Sequence, residues 1–171
     1  MPVQATARYG HREQVSVLEL AGELRYQQAP ALRSFVDQVL LADGADTVIL
    51  DLRRLACVDS TGLGLLARVG RATLERHARR AVILRPPQEV ALCLRAAAFE
   101  VLFLVLDEPP FDAEVALAEV PLAAGAEAPL LGGVVLDAHR DLAELSDGNK
   151  AAYADVIATL DAQLEAKRRK S

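Results

Sequence analysis

Six consecutive residues concentrate the chemistry of this chain: Asp59-Ser60-Thr61-Gly62-Leu63-Gly64. Asp, Ser and Thr are side chains that cap helix N-termini, and Gly62 permits a sharp bend without a Cβ clash. The first N–H groups of a helix have no internal partner and carry a partial positive charge. A hydroxyl held there stands on a rigid element at the carboxyl edge of a strand. Phosphorylating it would add roughly −1.5 to −2 charges at pH 7. The helix terminus accepts such a charge and neighbouring Asp59 repels it, so an interface built against a neutral Ser60 would be disrupted. The plainer alternative, that Asp59 or Ser60 only caps a helix, stands beside this one.

Other chemistries fit poorly. Gly62-x-Gly64 lacks the third glycine of a dinucleotide loop, and no Walker lysine is present. A nucleophilic Ser60 needs a base, yet His77 sits ~25 Å away along the same helix. His11, His77 and His139 show no metal-ligand spacing. No metal, no cofactor and no enzyme activity are expected. Cys57 and Cys93, both in apolar contexts, are expected as buried free thiols.

The elements that must position the motif follow from periodicity. Gln4 to Tyr9 suggests a strand, with Gly10-His11-Arg12 as a turn, and Val15 to Leu20 alternates as a second strand that Ala21-Gly22 ends. Pro30 suits the first turn of a helix carrying Leu32, Phe35, Val36, Val39 and Leu40 on one face, stopped by Asp43-Gly44. Thr47 to Leu52 is a near-continuous apolar run, as in a strand covered on both faces. A helix from about Thr61 to His77 follows, then a strand over Ala81 to Leu84. A short helix carries Val90, Leu92, Leu94 and Phe99, and Leu102 to Leu106 forms the last strand. The order β-β-α-β-α-β-α-β over about residues 4–108 implies a mostly parallel sheet with right-handed crossovers.

The texture changes after Pro109-Pro110. Residues 111–133 read as a linker with a helical turn or two near Asp112 to Glu119, and residues 134–171 as a helical extension. Leu136, His139, Leu142 and Leu145 share one stripe; Tyr153, Val156, Ile157, Leu160 and Leu164 form another. Ser146-Asp147-Gly148-Asn149 between them favours two helices over one long one. Such stripes need burial, so the extension is expected to pack back or self-associate, with a homodimer as the favoured form.

Charge divides at the same boundary. Residues 1–110 hold 13 Arg, no Lys and 13 acidic residues, whereas residues 111–171 hold 6 basic and 11 acidic residues, the whole net charge of −5. A neutral core argues against nucleic acid, which requires a basic face. The terminal Lys167-Arg168-Arg169-Lys170 run suits the end of a helix, whose dipole it complements. No uncharged apolar run approaches the ~20 residues of a membrane span, and Met1 to Arg12 has no apolar signal core. A soluble cytoplasmic protein with no membrane or nucleic-acid partner is expected.

Val48-Ile49-Leu50-Asp51-Leu52, six residues and then Asp59 to Gly64 together resemble the STAS domain of bacterial anti-sigma factor antagonists. Leu20-Ala21-Gly22-Glu23-Leu24 is similar to that family's second-strand exit, and Pro87 to Leu106 to its closing helix and strand. The resemblance implies an α/β fold: a STAS-like mixed, mostly parallel sheet packed with helices over residues 1–110, here with the C-terminal helical extension. It also implies that Ser60 is a phosphoacceptor for an anti-sigma factor serine kinase, which brings its own ATP and Mg²⁺. The unmodified protein would bind that kinase and free a sigma factor, and a PP2C-type phosphatase would reset it. Asp59, Thr61, Gly62 and Leu63, with Arg25, Arg53 and Arg54, would form the partner-binding face, Thr61 serving as a helix cap.

Arg25 stands where the family usually has an acidic or small polar residue. It changes the charge of a partner surface, or else stands ready to pair with a phosphate on Ser60. The extension is a second departure. Both leave open an alternative function, a STAS scaffold or ATPase-binding subunit without obligatory phosphorylation, as in stressosomes or lipid-transport ABC systems.

Overall fold

A computed structural model describes residues 3–110, 114–123 and 128–170. Strand β1 (Thr6–Arg12) pairs antiparallel with β2 (Val15–Leu24). Gly10 lies inside β1, not in a turn, because the segment from Val115 to Leu117 presses on it; a Cβ there would overlap the Ala116 carbonyl. The reversal comes later, at Glu13, whose φ is +55°. Nor does Gly22 end β2. With φ at +80° it forms a bulge, marked by a register shift against the next strand, and the strand continues to Leu24.

Helix α1 (Ala29–Phe35) starts with Pro30 in its first turn and runs on through a π-helical turn, Val36–Leu40. Leu32, Val36 and Leu40 face the core, while Val39, expected on that face, is exposed. The wider π turn rotates it outward. β3 (Thr47–Val58) is twice the length expected and leads through Asp59 into α2 (Ser60–His77). Then come β4 (Ala81–Leu84), α3 (Gln88–Ala96) and β5 (Phe103–Leu106). On α3, Val90 and Leu94 are buried but Leu92 is exposed.

β2, β3, β4 and β5 pair in parallel, so the sheet is mixed and mostly parallel. After the first eight elements, β6 (Ala118–Val120) adds antiparallel to the free edge of β1, giving the order β5-β4-β3-β2-β1-β6. The stretch read as linker therefore contains a strand at 118–120 where the expected helical turn would end; the part of that turn at Asp112 and Ala113 lies outside the described residues. Two further helices follow, α4 (Ala128–Ala143) and α5 (Asp147–Arg168), so the described residues form six strands and five α-helices. Ser146 separates them, its hydroxyl accepting the Asn149 N–H at 3.0 Å as an N-cap.

Side-chain alternation along β3 divides the apolar residues. Val48, Leu50 and Leu52 join the main core with Leu63, Leu65, Leu66, Ala67 and Val69 of α2. Ile49, with Val82 and Leu84, forms a smaller cluster on the opposite face. Val134 and Leu142 of α4 belong to the main core, so α4 closes it over α2. Burial of each such side chain contributes at most ~1.5–3 kcal/mol. The thiols are free, but Cys57 is half-buried and Cys93 exposed, contrary to the buried setting expected; they lie at the end of β3 and on the outer side of α3.

Candidate functional site

β3 delivers the motif to the carboxyl edge of the sheet, where α2 begins. Asp59, with an extended backbone, is the N-cap: its Oδ1 accepts the Gly62 N–H at 2.8 Å. Its other oxygen, Oδ2, accepts the Tyr26 N–H at 2.7 Å. One carboxylate thus satisfies an orphan donor of α2 and anchors the loop after β2. Thr61, expected as a cap, is instead 3% exposed, and Leu63 is 6% exposed. Gly62 answers to packing, since a Cβ there would lie 2.7 Å from Val58 Cγ2 and 3.1 Å from Leu24.

Ser60 opens α2 as its first residue and is half-buried. Its Oγ lies 2.9 Å from Nε2 of His139, which α4 places directly over the motif. His139 Nδ1 lies 2.7 Å from the Val135 carbonyl oxygen. That oxygen can only accept, so Nδ1 carries a proton directed at Val135, and Nε2 is the nitrogen that meets the Ser60 hydroxyl. Tyr153 of α5 packs edge-on against the imidazole, with ring centroids 5.6 Å apart. The sequence excluded a basic partner for Ser60 by considering His77 alone. The missed residue sits on the stripe Leu136-His139-Leu142, and its one signal was a histidine on an otherwise apolar face.

The predicted arginines are not gathered around Ser60. Arg25 binds Glu23 through Nη2 at 2.8 Å and Nε at 3.1 Å. Arg53 grips Asp51, with Nη2 at 2.7 Å and Nε at 3.0 Å, and Arg54 lies 3.9 Å from Glu19. Asp51 and Arg53 share with Ile49 the sheet face away from α2. Different arginines line the α4 contact. Arg33 pairs with Asp137 at 3.4 Å, and Arg71 reaches Asp141 at 2.9 Å and also binds Glu144. Arg68 lies 3.6 Å from Asp141 and 2.7 Å from Asp37.

Burial raises the Asp141 carboxyl above its ordinary value against the pull of Arg71, Arg68 and Arg33. At Asp37 burial acts the same way, but the hydrogen bonds from Arg68 and Arg33 prevail and hold it low. Among the described residues, no cluster of three His, Cys, Asp or Glu side chains could hold a metal, and no helix is long and apolar enough to cross a membrane.

A serine on a capped helix at the end of a central parallel strand is thus in place within a β-β-α-β-α-β-α-β unit. Residues 7–106 match the family model described as "Mlab, STAS domain". The chain belongs to the STAS domain family. Among solved structures, this STAS chain is similar in fold to the anti-sigma factor antagonist SpoIIAA in its unphosphorylated form, with 24% identity over 58% of this chain and 87% of that one, at a TM-score of 0.50. The phosphorylated form of SpoIIAA, a Bacillus cell-fate determinant, aligns at 22% identity over 58% and 90% of the two chains, with a TM-score of 0.48. An anti-sigma factor antagonist from Mycobacterium paratuberculosis aligns at 23% identity over 61% and 87%, also with a TM-score of 0.48. No curated protein matches the chain significantly. The STAS fold of the sequence reading is therefore established, and the partially matched length leaves α4 and α5 outside the family model.

Proposed function

We propose that this STAS protein is an anti-sigma factor antagonist: a binding switch, not an enzyme, whose phosphoacceptor is Ser60. Residues 1–110 form the switching unit in this reading, and the cytoplasm is its compartment. The observation that carries it is the position of Ser60, first residue of a helix capped by Asp59 at the carboxyl edge of β3. An anti-sigma factor kinase would supply the phosphoryl group with its own ATP, and a PP2C-type phosphatase would remove it. The dianion would meet the positive end of α2 but also the Asp59 carboxylate, so the docking face would gain roughly −1.5 to −2 charges. Arg25 remains part of that face, its guanidinium already committed to Glu23.

The test is capture of candidate anti-sigma kinases from the same genome by wild type and by Ser60→Asp. Retention by wild type alone is expected; equal retention by both contradicts the switch. A second reading, a STAS scaffold without obligatory phosphorylation, is favoured by His139, which occupies the Ser60 hydroxyl from above. A homodimer through the extension also remains part of the proposal, since Leu130 and Val156 stay exposed. Light scattering at micromolar concentration should then give twice the chain mass, and a monomer contradicts it.

A further inference from the structure

The face of α2 that presents Ser60 is already occupied, by the chain's own α4. At Gly64 the two helices touch backbone to backbone: a Cβ there would overlap the Ala138 carbonyl. One turn away His139, 5% exposed, takes the Ser60 hydroxyl. Along the same helix the acidic row Asp137, Asp141 and Glu144 lies against Arg33, Arg68 and Arg71. The buried amide of Asn149 donates to the carbonyls of Ala97 and Leu142, both at 3.0 Å, fastening the start of α5 to the core and to α4. The acidic extension therefore complements a set of core arginines that the neutral charge total conceals.

We infer that α4 is a resident competitor: it holds in cis the surface on which a phosphorylating partner must seat, and negative charge at Ser60 expels it. This rests on the reading of Ser60 as the switch and adds its regulation: the partner must displace α4 to seat on the unmodified chain, and the charge that frees α4 also repels that partner. The geometry gives the reason. His139 turns Nδ1 to the Val135 carbonyl and Nε2 to Ser60, whose hydroxyl proton can bridge the 2.9 Å between them. A phosphoryl group takes that proton's place with a bulky anion at Oγ, beside a ring packed by Tyr153 and next to the close Gly64–Ala138 crossing. Anion and docked α4 therefore compete, and by linkage anything that detaches α4 exposes Ser60.

Hydrogen–deuterium exchange on the full chain tests this with no kinase present, so its outcome is independent of whether any kinase modifies Ser60. The variants are Ser60→Ala, Ser60→Glu and Arg71→Ala. Exchange across residues 134–143 should accelerate by about tenfold or more in Ser60→Glu, while β3 keeps its wild-type protection. Arg71→Ala, which leaves Ser60 untouched, should accelerate the same segment, and Ser60→Ala should change it by less than about threefold. Wild-type protection of α4 in Ser60→Glu overturns the inference. So does an equal effect of Ser60→Ala, which would assign it to the lost hydrogen bond. A parallel loss of protection in α4 and β3 in both charged-site variants also overturns it, by making α4 inseparable from the core.

Discussion

Ser60 Oγ and His139 Nε2 meet at 2.9 Å across 79 residues of sequence. The motif that carries the chemistry and the extension that carries the negative charge are parts of one site. His139 is itself held by Val135 and Tyr153, so α4 and α5 both bear on the serine.

Asp59 has two jobs, the Gly62 N–H and the Tyr26 N–H. Replacement by Ala should cost about 1–2 kcal/mol in urea denaturation, whereas Asn, itself a strong N-cap, should retain most of that stability. Equal losses in the two variants would contradict the capping account.

Gly62 and Gly64 should respond differently to Ala. At Gly62 the new methyl meets side chains of Val58 and Leu24, which can shift, and overpacking of this kind costs roughly 1–3 kcal/mol of global stability. At Gly64 it meets the Ala138 backbone, which cannot rotate aside. Gly64→Ala should therefore release α4 from α2 while the sheet persists, visible as selective exchange across 134–143. Loss of β3 protection to the same degree would contradict this.

The two carboxylates of the arginine cluster should give opposite pH dependences. The folded value of Asp37 lies below its ordinary 3.8, so its ion pairs contribute stability that is full above 3.8 and lost as pH falls through the lowered value. Burial raises Asp141 above 3.8, so its contribution is greatest below 3.8 and declines as pH rises through the raised value. Denaturation of Asp37→Asn and Asp141→Asn against wild type from acid to neutral pH should give difference curves of opposite slope. Curves of the same slope would contradict the assignment.

Tyr9 should govern alkaline stability. Burial, and then its hydrogen bond to Asp43, raises its phenol from 10.0 to about 12. The folded state holds this proton more tightly than the unfolded chain, so the contribution is complete below 10.0 and declines as pH rises toward about 12. In Tyr9→Phe that part of the alkaline decline should vanish from denaturant midpoints; an unchanged decline would assign it elsewhere.

Local signals in the sequence specified the core well. The apolar run through Val48 and Leu50 and the cap chemistry of Asp59 depend on neighbours, and both elements start where the pattern places them, although β3 runs on to Val58. Glycines misled in proportion to their context. Gly10 and Gly22 read as turn residues, but one yields space to Ala116 and the other forms a bulge. β6 was not legible because three residues pairing with the edge of β1 carry little periodicity of their own. The stripe through His139 predicted a buried helix face but not its partner. Which surface it covers depends on the Gly64 crossing and on ion pairs such as Arg33–Asp137, both set by tertiary packing.

Phosphotransfer read by intact mass decides whether Ser60 is the phosphoacceptor. Full-length protein is incubated with ATP, Mg²⁺ and each candidate anti-sigma kinase of the same genome, beside the Ser60→Ala variant. Wild type should gain one phosphoryl group and Ser60→Ala none. A wild type that gains none with any of these kinases, or a gain that survives Ser60→Ala, would contradict it.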